Sequence, residues 1–324
     1  MIVGAVVVRG RLDDRSETQS EVYRLVCSVD LGPVCDDIAR AFPGRITMTI
    51  ESAGTTADRL RRVDGDPELD GWLVADPWPA IVDGARQFAN LPPIFATTTA
   101  NQPPLARSPL VIVSWKERAD ALGPTCPDAK VGWKCLGEAA GRPWTGRNGQ
   151  SAWGDVKPGH ADAATDGIGL LVLGQATVEW FGRSDLSTFD LDDEGFQRWF
   201  SGLERSLRPS ASSPLAPMLS IGRAAYDAVG TTEADAGIVD RAASRDSLTR
   251  IYPAPMVTAD VVLAVSPGSR GSRLRDLVAD DARDALTDAG WKAPGAAGLP
   301  PDNGLPSPGL LDALRSRARE VTGR

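Results

Sequence analysis

From Tyr23 onward, short apolar runs alternate with stretches whose apolar residues recur every three or four positions. Tyr23 to Val29 alternates as a strand does, and Asp30 to Phe42 has helical spacing, with Asp30 placed to cap it and Pro33 tolerable in its first turn. Arg45 to Glu51 is a second predicted strand, with Ile46, Met48 and Ile50 on one face, and Thr55 to Val63 a short helix. Gly71 to Ala75 is a third strand, stopped by Asp76-Pro77-Trp78-Pro79, and Pro79 to Phe88 is helical. Leu110 to Trp115 is strongly apolar and extended, Lys116 to Leu122 turns helical, and Trp133 to Ala140 forms a further short helix. Val156 falls in a short strand. Longer helical patterns follow over Thr165 to Phe181, Glu194 to Leu207 and Pro214 to Val229. Phe196, Trp199, Phe200 and Leu203 share one helical face, the pattern of core packing. Val257 to Val265 is an apolar strand, Arg270 to Ala289 and Pro308 to Val321 are helices, and a Pro/Gly-rich loop separates those two helices. Strands alternating with helices predict an α/β protein whose mainly parallel sheets carry helices on their faces.

At 324 residues the chain exceeds a single small core and suggests two lobes. The apolar fraction of 42% is ordinary for a folded protein, so burial suffices for a core. A net charge of −8 with no basic run argues against a nucleic-acid partner, which needs clustered Lys and Arg. Seven apolar residues, Ile2 to Val8, precede Arg9 and Arg11 and are too few for a bilayer span, which takes about 20. They read either as the end of a signal peptide or anchor, or as a short edge strand. Residues 9–21 are a polar linker, and residues 1–21 together form an N-terminal tail.

The four cysteines fall in two close pairs. Three pairings are open. The local one, Cys27 with Cys35 and Cys126 with Cys135, is the natural choice and implies an oxidising compartment. The plainer alternative is four buried thiols. Neither spacing is CxxC, and with a single histidine, His160, a Cys/His metal site is not expected. No motif calls for a cofactor.

Candidate chemistry gathers where strands end and small or hydroxyl residues follow. The segments are Glu51-Ser52-Ala53-Gly54-Thr55-Thr56, then Leu105 to Pro109, then Lys157 to Gly167. Helix starts present free N–H groups, and Ser and Thr add donors without bulk. As isolated features, such segments are ordinary helix caps. Together they point to a ligand cleft lined by Ser52, Thr55, Thr56, Asp76, Trp78 and Ser108 on one side, with Gly159, His160, Thr165 and Asp166 on the other. Asp76 and Asp166 would suit a cationic group. Lys157 and Arg107 are the nearest positive charges for an anion, so ligand charge stays open.

The ordered set resembles the type II periplasmic solute-binding proteins, of the kind common in actinobacteria. The resemblance rests on the Ser/Gly/Thr helix start after the second strand, the ARSPLVIV crossover at residues 106–113, the GHADAATDGIGLL element at 159–171 and the closing GLPSPGLLDALR at 304–315. It spans residues 22–324, and no single motif is specific. It implies two α/β lobes joined by crossover strands, residues 22–113 with 251–324 forming lobe one and 114–250 lobe two. The chain would return through Tyr252-Pro253-Ala254-Pro255, where proline enforces an extended path. It implies an extracytoplasmic protein, secreted or anchored at the cell surface, that holds a small polar solute for an ABC permease. Two rivals keep the same residues. An anchored ectodomain beside a surface module would use Trp72, Trp78, Trp133, Trp144 or Trp153 at an interface. An enzyme would have to bring His160 to Ser52 or Ser108, and no GxSxG elbow, Walker loop, HExxH or dinucleotide fingerprint is present. A binding protein without enzymatic activity is therefore the expectation.

Overall fold

The computed structural model describes residues 21–96, 103–207, 213–242 and 245–323. The apolar run at 2–8, and with it the question of a signal or anchor, lies outside the described residues.

The first sheet is built on β1 (Tyr23–Ser28), which runs parallel to β2 (Ile46–Glu51) on one side and to β3 (Gly71–Ala75) on the other. β3 is antiparallel to β8 (Thr258–Val265), and β8 to the first part of β4 (Ala106–Trp115). Helices α1 (Gly32–Ala41), α2 (Ala53–Leu60), α3 (Trp78–Phe88), α10 (Ser269–Asp288) and α11 (Pro308–Thr322) belong to this half. β1, β3 and β8 are apolar and almost wholly buried, as strands covered on both faces must be. β2 is an edge strand, and Ile50 stays exposed.

The second sheet begins inside β4. Ala106 to Pro109 pair with β8, whereas Leu110 to Ser114 pair with β6 (Ala228–Thr232). One continuous strand thus serves both sheets, and the second is completed by β5 (Pro158–Gly159) beside β6 and β7 (Leu248–Ile251) beside β4. Around it lie α4 (Lys116–Leu122), α5 (Trp133–Ala139), α6 (Gly167–Phe181), α7 (Glu194–Ser206), α8 (Leu215–Ile221) and α9 (Glu233–Ala236). α6 is apolar all round and buried from Gly167 through Val178, because it packs against β6 of its own sheet and against β3 and α11 of the other.

This is the two-lobed α/β fold that the strand–helix alternation and the resemblance implied. The sheets are mixed where mainly parallel ones were expected. β4 passes from the first sheet into the second, and every pairing that it or β8 makes is antiparallel. Pro214 to Val229 is not one helix: α8 ends at Ile221, Gly222 takes a φ of 80°, and the chain re-enters as β6. Asp30 does not cap α1 either; a 3-10 turn over Val29–Leu31 intervenes.

Both local cysteine pairs are disulfides: Cys27 with Cys35 ties the end of β1 to α1, and Cys126 with Cys135 ties the turn after α4 to α5. Phe196, Phe200 and Leu203 are fully buried and Trp199 nearly so. Trp72, Trp78, Trp133 and Trp144 are core residues as well, and Trp153 is half-buried under the Arg118 guanidinium. The interface anchors required by the ectodomain reading are therefore occupied in packing.

Candidate functional site

A cavity of about 460 Å³ opens between the two halves, a size that suits a small organic ligand. One wall comes from the first half. It consists of the turn after β1, with Val29, Asp30, Leu31 and Pro33, and of Trp291 just beyond α10. The facing wall is the entry to α6, with Asp166, Ile168 and Gly169, and the end of β6, with Thr231 and Thr232. Asp235, Ile238 and Arg241 close the side.

The lining follows from local rules. β1 must stop at Ser28, and the Cys27–Cys35 bridge pins both ends of the turn that carries Asp30. Asp166 is the N-cap of α6: its Oδ1 accepts the Gly169 N–H at 2.8 Å. Thr232 caps α9 and receives the Asp235 N–H at 3.0 Å, while Asp235 accepts from Thr231 Oγ1 at 2.6 Å and Ser213 Oγ at 2.8 Å.

The electrostatics are unusual for a protein interior. Asp30 and Asp166 face the same cavity from opposite halves, Asp166 buried and Asp30 partly so. Burial pushes the Asp30 carboxyl up, while the Ser28 hydroxyl on Oδ1 and the Gly167 N–H temper the rise. Its Oδ2 is buried without a hydrogen-bond partner. Burial, and then the charge of Asp30, push Asp166 up to about 7, with Asp162 adding to the effect. A Cβ on Gly167 would stand 2.9 Å from Asp30 Oδ2, so glycine is what lets the carboxyl reach the α6 entry.

Beside the cavity the halves touch directly. Gly54 N–H donates to Thr165 O at 2.9 Å, and Trp78 Nε1–H to Gly167 O at 3.3 Å. Arg315 of α11, almost wholly buried, donates from Nε to Ala164 O at 2.8 Å and from Nη2 to Gly54 O at 3.0 Å. It also pairs with Asp58 and lies over the Trp78 ring.

Of the ten residues singled out from the sequence, Asp166 alone lines the cavity. Trp78 and Thr165 sit in the adjoining seam. Ser52 caps α2 by accepting from Thr55 N, and its hydroxyl bonds to that of Thr55 at 2.7 Å. Thr56 is buried and donates to Glu51. Asp76 follows β3, where burial and then the nearby Asp260 push it up to about 6. Ser108 is buried in the crossover and accepts the Ala234 N–H at 3.0 Å. Gly159 lies in β5 against the Tyr226 ring, where a Cβ would clash at 2.6 Å. His160 is buried, with Nδ1 2.7 Å from Ala161 O and Nε2 2.9 Å from Glu204 Oε1. Both ring nitrogens face acceptors, so the imidazolium is the form that fits. Burial opposes that charge, and Glu204 outweighs the opposition and raises the His160 pKa. His160 is a core ion pair, separated in role from Ser52 and Ser108, whose hydroxyls are engaged elsewhere.

Asp30, Thr231, Thr232 and Asp235 went unrecognised in the sequence. Asp30 stands at a strand end, the same signal used for Ser52 and Asp76. The other three lie just past Val229, where the predicted helix ended and no element was assigned, although Ala228-Val229-Gly230-Thr231-Thr232 has the β-branched composition of a strand.

A fold of two α/β halves bridged by a continuous strand, β4, with a ligand-sized cavity between them, defines the class of two-lobed binding proteins. The chain belongs to the bacterial extracellular solute-binding protein family, whose profile matches residues 23–292. No curated protein matches it in sequence. Among solved structures it is similar to the periplasmic binding protein AfuA from Actinobacillus pleuropneumoniae with exogenous fructose-6-phosphate bound (11% identity, 94% of this chain and 97% of that one, TM-score 0.58). It is similar to a periplasmic thiamin binding protein (14%, 94% and 96%, 0.59) and to iron-bound HitA from Pseudomonas aeruginosa (12%, 93% and 99%, 0.58). At these identities the likeness is one of fold. The family is extracellular or periplasmic and binds small solutes, and none of the described helices is long and apolar enough to cross a membrane.

Proposed function

We propose that the protein captures a small solute reversibly in the cavity between the Asp30 turn and the α6 entry, leaves it chemically unchanged and presents it to an ABC permease. The observation that carries this reading is the cavity itself: both halves line it, and direct contacts beside it join them, so closing the halves would surround a solute. The lobes divide where β4 changes partners, so residues 110–251 move against the remainder. Solutes held by proteins of this fold include a sugar phosphate, thiamin and iron, so the lining, not the fold, selects the ligand here. Of the residues first singled out, Asp166 is assigned to solute contact. Thr165 and Trp78, with Gly54 and Arg315, are assigned to the closing seam.

Absence of turnover fits the placement of His160, which is buried against Glu204 and lines no part of the cavity. The experiment is a thermal-shift screen of small solutes, followed by calorimetric titration and by X-ray scattering with and without the hit. A stoichiometric ligand, recovered unchanged, that lowers the radius of gyration is expected. A hit whose affinity is indifferent to substitutions at Asp30, Asp166 and Thr231 together would overturn the assignment of this cavity.

A further inference from the structure

Resting on that reading, the lining supports a narrower statement about the ligand. We infer that the solute is an organic cation, an amine or guanidine with an apolar body, whose positive group sits between Asp30 and Asp166. Three observations converge on this class.

The first is the unmet acceptor. Asp30 Oδ2 is buried with no hydrogen-bond partner at the cavity wall, and a carboxylate oxygen in that state is costly unless a donor or cation reaches it. Asp166, 5% exposed, lines the same cavity from the opposite half. Two carboxylates from different lobes repel each other when both are ionised. A cation between them turns that repulsion into attraction and holds the lobes together.

The second is what occupies the α6 entry. A helix N-terminus beside a cleft ordinarily favours an anion. Here the first turn is already capped by a protein carboxylate, Gly169 N–H donating to Asp166 Oδ1 at 2.8 Å, and the Asp30 carboxyl stands against Gly167. An oxyanion would have to displace one carboxylate and sit beside the other. Asp162 and Asp235 are the further acids near the pair, and the exposed Arg241 is the basic residue in the lining among the described residues.

The third is shape. Val29, Leu31, Pro33, Ile168 and Trp291 make the rest of the lining largely apolar, which suits a carbon body beside the charge. Among the described residues no group of three or more His, Cys, Asp and Glu could hold a metal ion, so a bare metal cation does not fit.

The test uses benzylamine, choline and agmatine as cations, phosphate and sulfate as anions, and glucose as a neutral probe. Titrations are run against wild type, Asp30→Asn and Asp166→Asn. Both substitutions keep shape, and asparagine also caps a helix, so Asp166→Asn keeps the α6 entry while removing charge. A cation binder is expected, weakened at least tenfold in each variant. Its wild-type affinity should rise roughly tenfold from pH 6 to pH 8 as Asp166, pushed up to about 7, loses its proton. An anion or glucose that binds wild type, with unchanged or tighter binding in Asp30→Asn, overturns the cation assignment and leaves the solute-binding reading intact. A panel in which no compound of any charge binds overturns both.

Discussion

Gly54→Ala should separate lobe closure from lobe folding. Gly54 is the second residue of α2, in a helical turn where alanine is intrinsically preferred to glycine by up to about 1 kcal/mol. Within its own half the added Cβ meets only the end of a long side chain, Arg315 Nη2 at 2.9 Å, which a small shift relieves. Across the seam, the added Cβ would lie 2.3 Å from Ala164 O and 2.7 Å from Thr165 Cα, both main-chain atoms that cannot swing aside. Real Cβ atoms essentially never come closer than 3.0 Å, so the seam must part by at least ~0.7 Å. That retreat stretches the 2.9 Å bond from Gly54 N–H to Thr165 O to about 3.6 Å, outside hydrogen-bond range. It also draws Ala164 O away from Arg315. One neutral hydrogen bond and part of a charge-assisted one amount to roughly 2–3 kcal/mol against the closed arrangement. A closed state disfavoured by that much weakens any ligand that needs closure by roughly 30- to 150-fold. Small-angle scattering should report a larger radius of gyration, while thermal melting stays within a degree or two of wild type. A variant that scatters as wild type does and binds the same solute equally well would show that the seam is not the closing surface. A variant that unfolds would show that the contact belongs inside one folding unit.

Substituting Asp166 by Asn should change how stability depends on pH. Its carboxyl is raised from the ordinary 3.8 to about 7, so the folded form holds a proton that the unfolded chain releases. The stability linked to it is complete below about 3.8 and declines as pH rises toward about 7. Melting curves from pH 4 to pH 8 should therefore show Asp166→Asn gaining on wild type as pH rises, and a constant difference would refute the raised carboxyl. His160→Ala leaves Glu204 buried without its partner. The unfolding free energy from denaturant titration should fall by roughly 3–5 kcal/mol, with solute affinity little changed. Because the His160 pKa is raised, the wild-type advantage is full below the ordinary 6.5 and shrinks as pH climbs through the raised value. Removing the Cys126–Cys135 bridge by a double Ser substitution should cost about 2–3 kcal/mol, the entropy of so short a loop, and unreduced peptide mapping should recover both local pairs from wild type.

Most of the fold was legible because periodicity and burial agree along it. β3 and α4 fall at the residues their patterns predict, and the aromatic face of α7 is core. β6 was lost because the apolar α8 just before it supplied a helical period that ran on through Val229, into the first residues of the strand. Strand direction was also out of reach, since pairing is decided by which distant strand a crossover meets. The site was less legible than the fold. Helix-start rules locate Ser52, Thr55 and Asp166 equally well, but which start faces the cavity depends on how the lobes meet. His160 drew attention as the chain's single histidine, yet chemical rarity carries no information about partners, and Glu204 lies 44 residues further along.

The Cys27–Cys35 bridge brackets Ser28 to Val34, and that short arc contains Asp30 and every other cavity-lining residue of its turn. Tethered at both ends, the arc has little freedom left to lose when a solute arrives. The ordering cost falls at oxidation, once in the life of the molecule, and is not repeated at each capture. A chain still carrying thiols would meet that cost on every encounter and bind correspondingly weakly. Maturation of the protein and the strength of its grip are thereby coupled through a single covalent bond, set in place before the first solute is met.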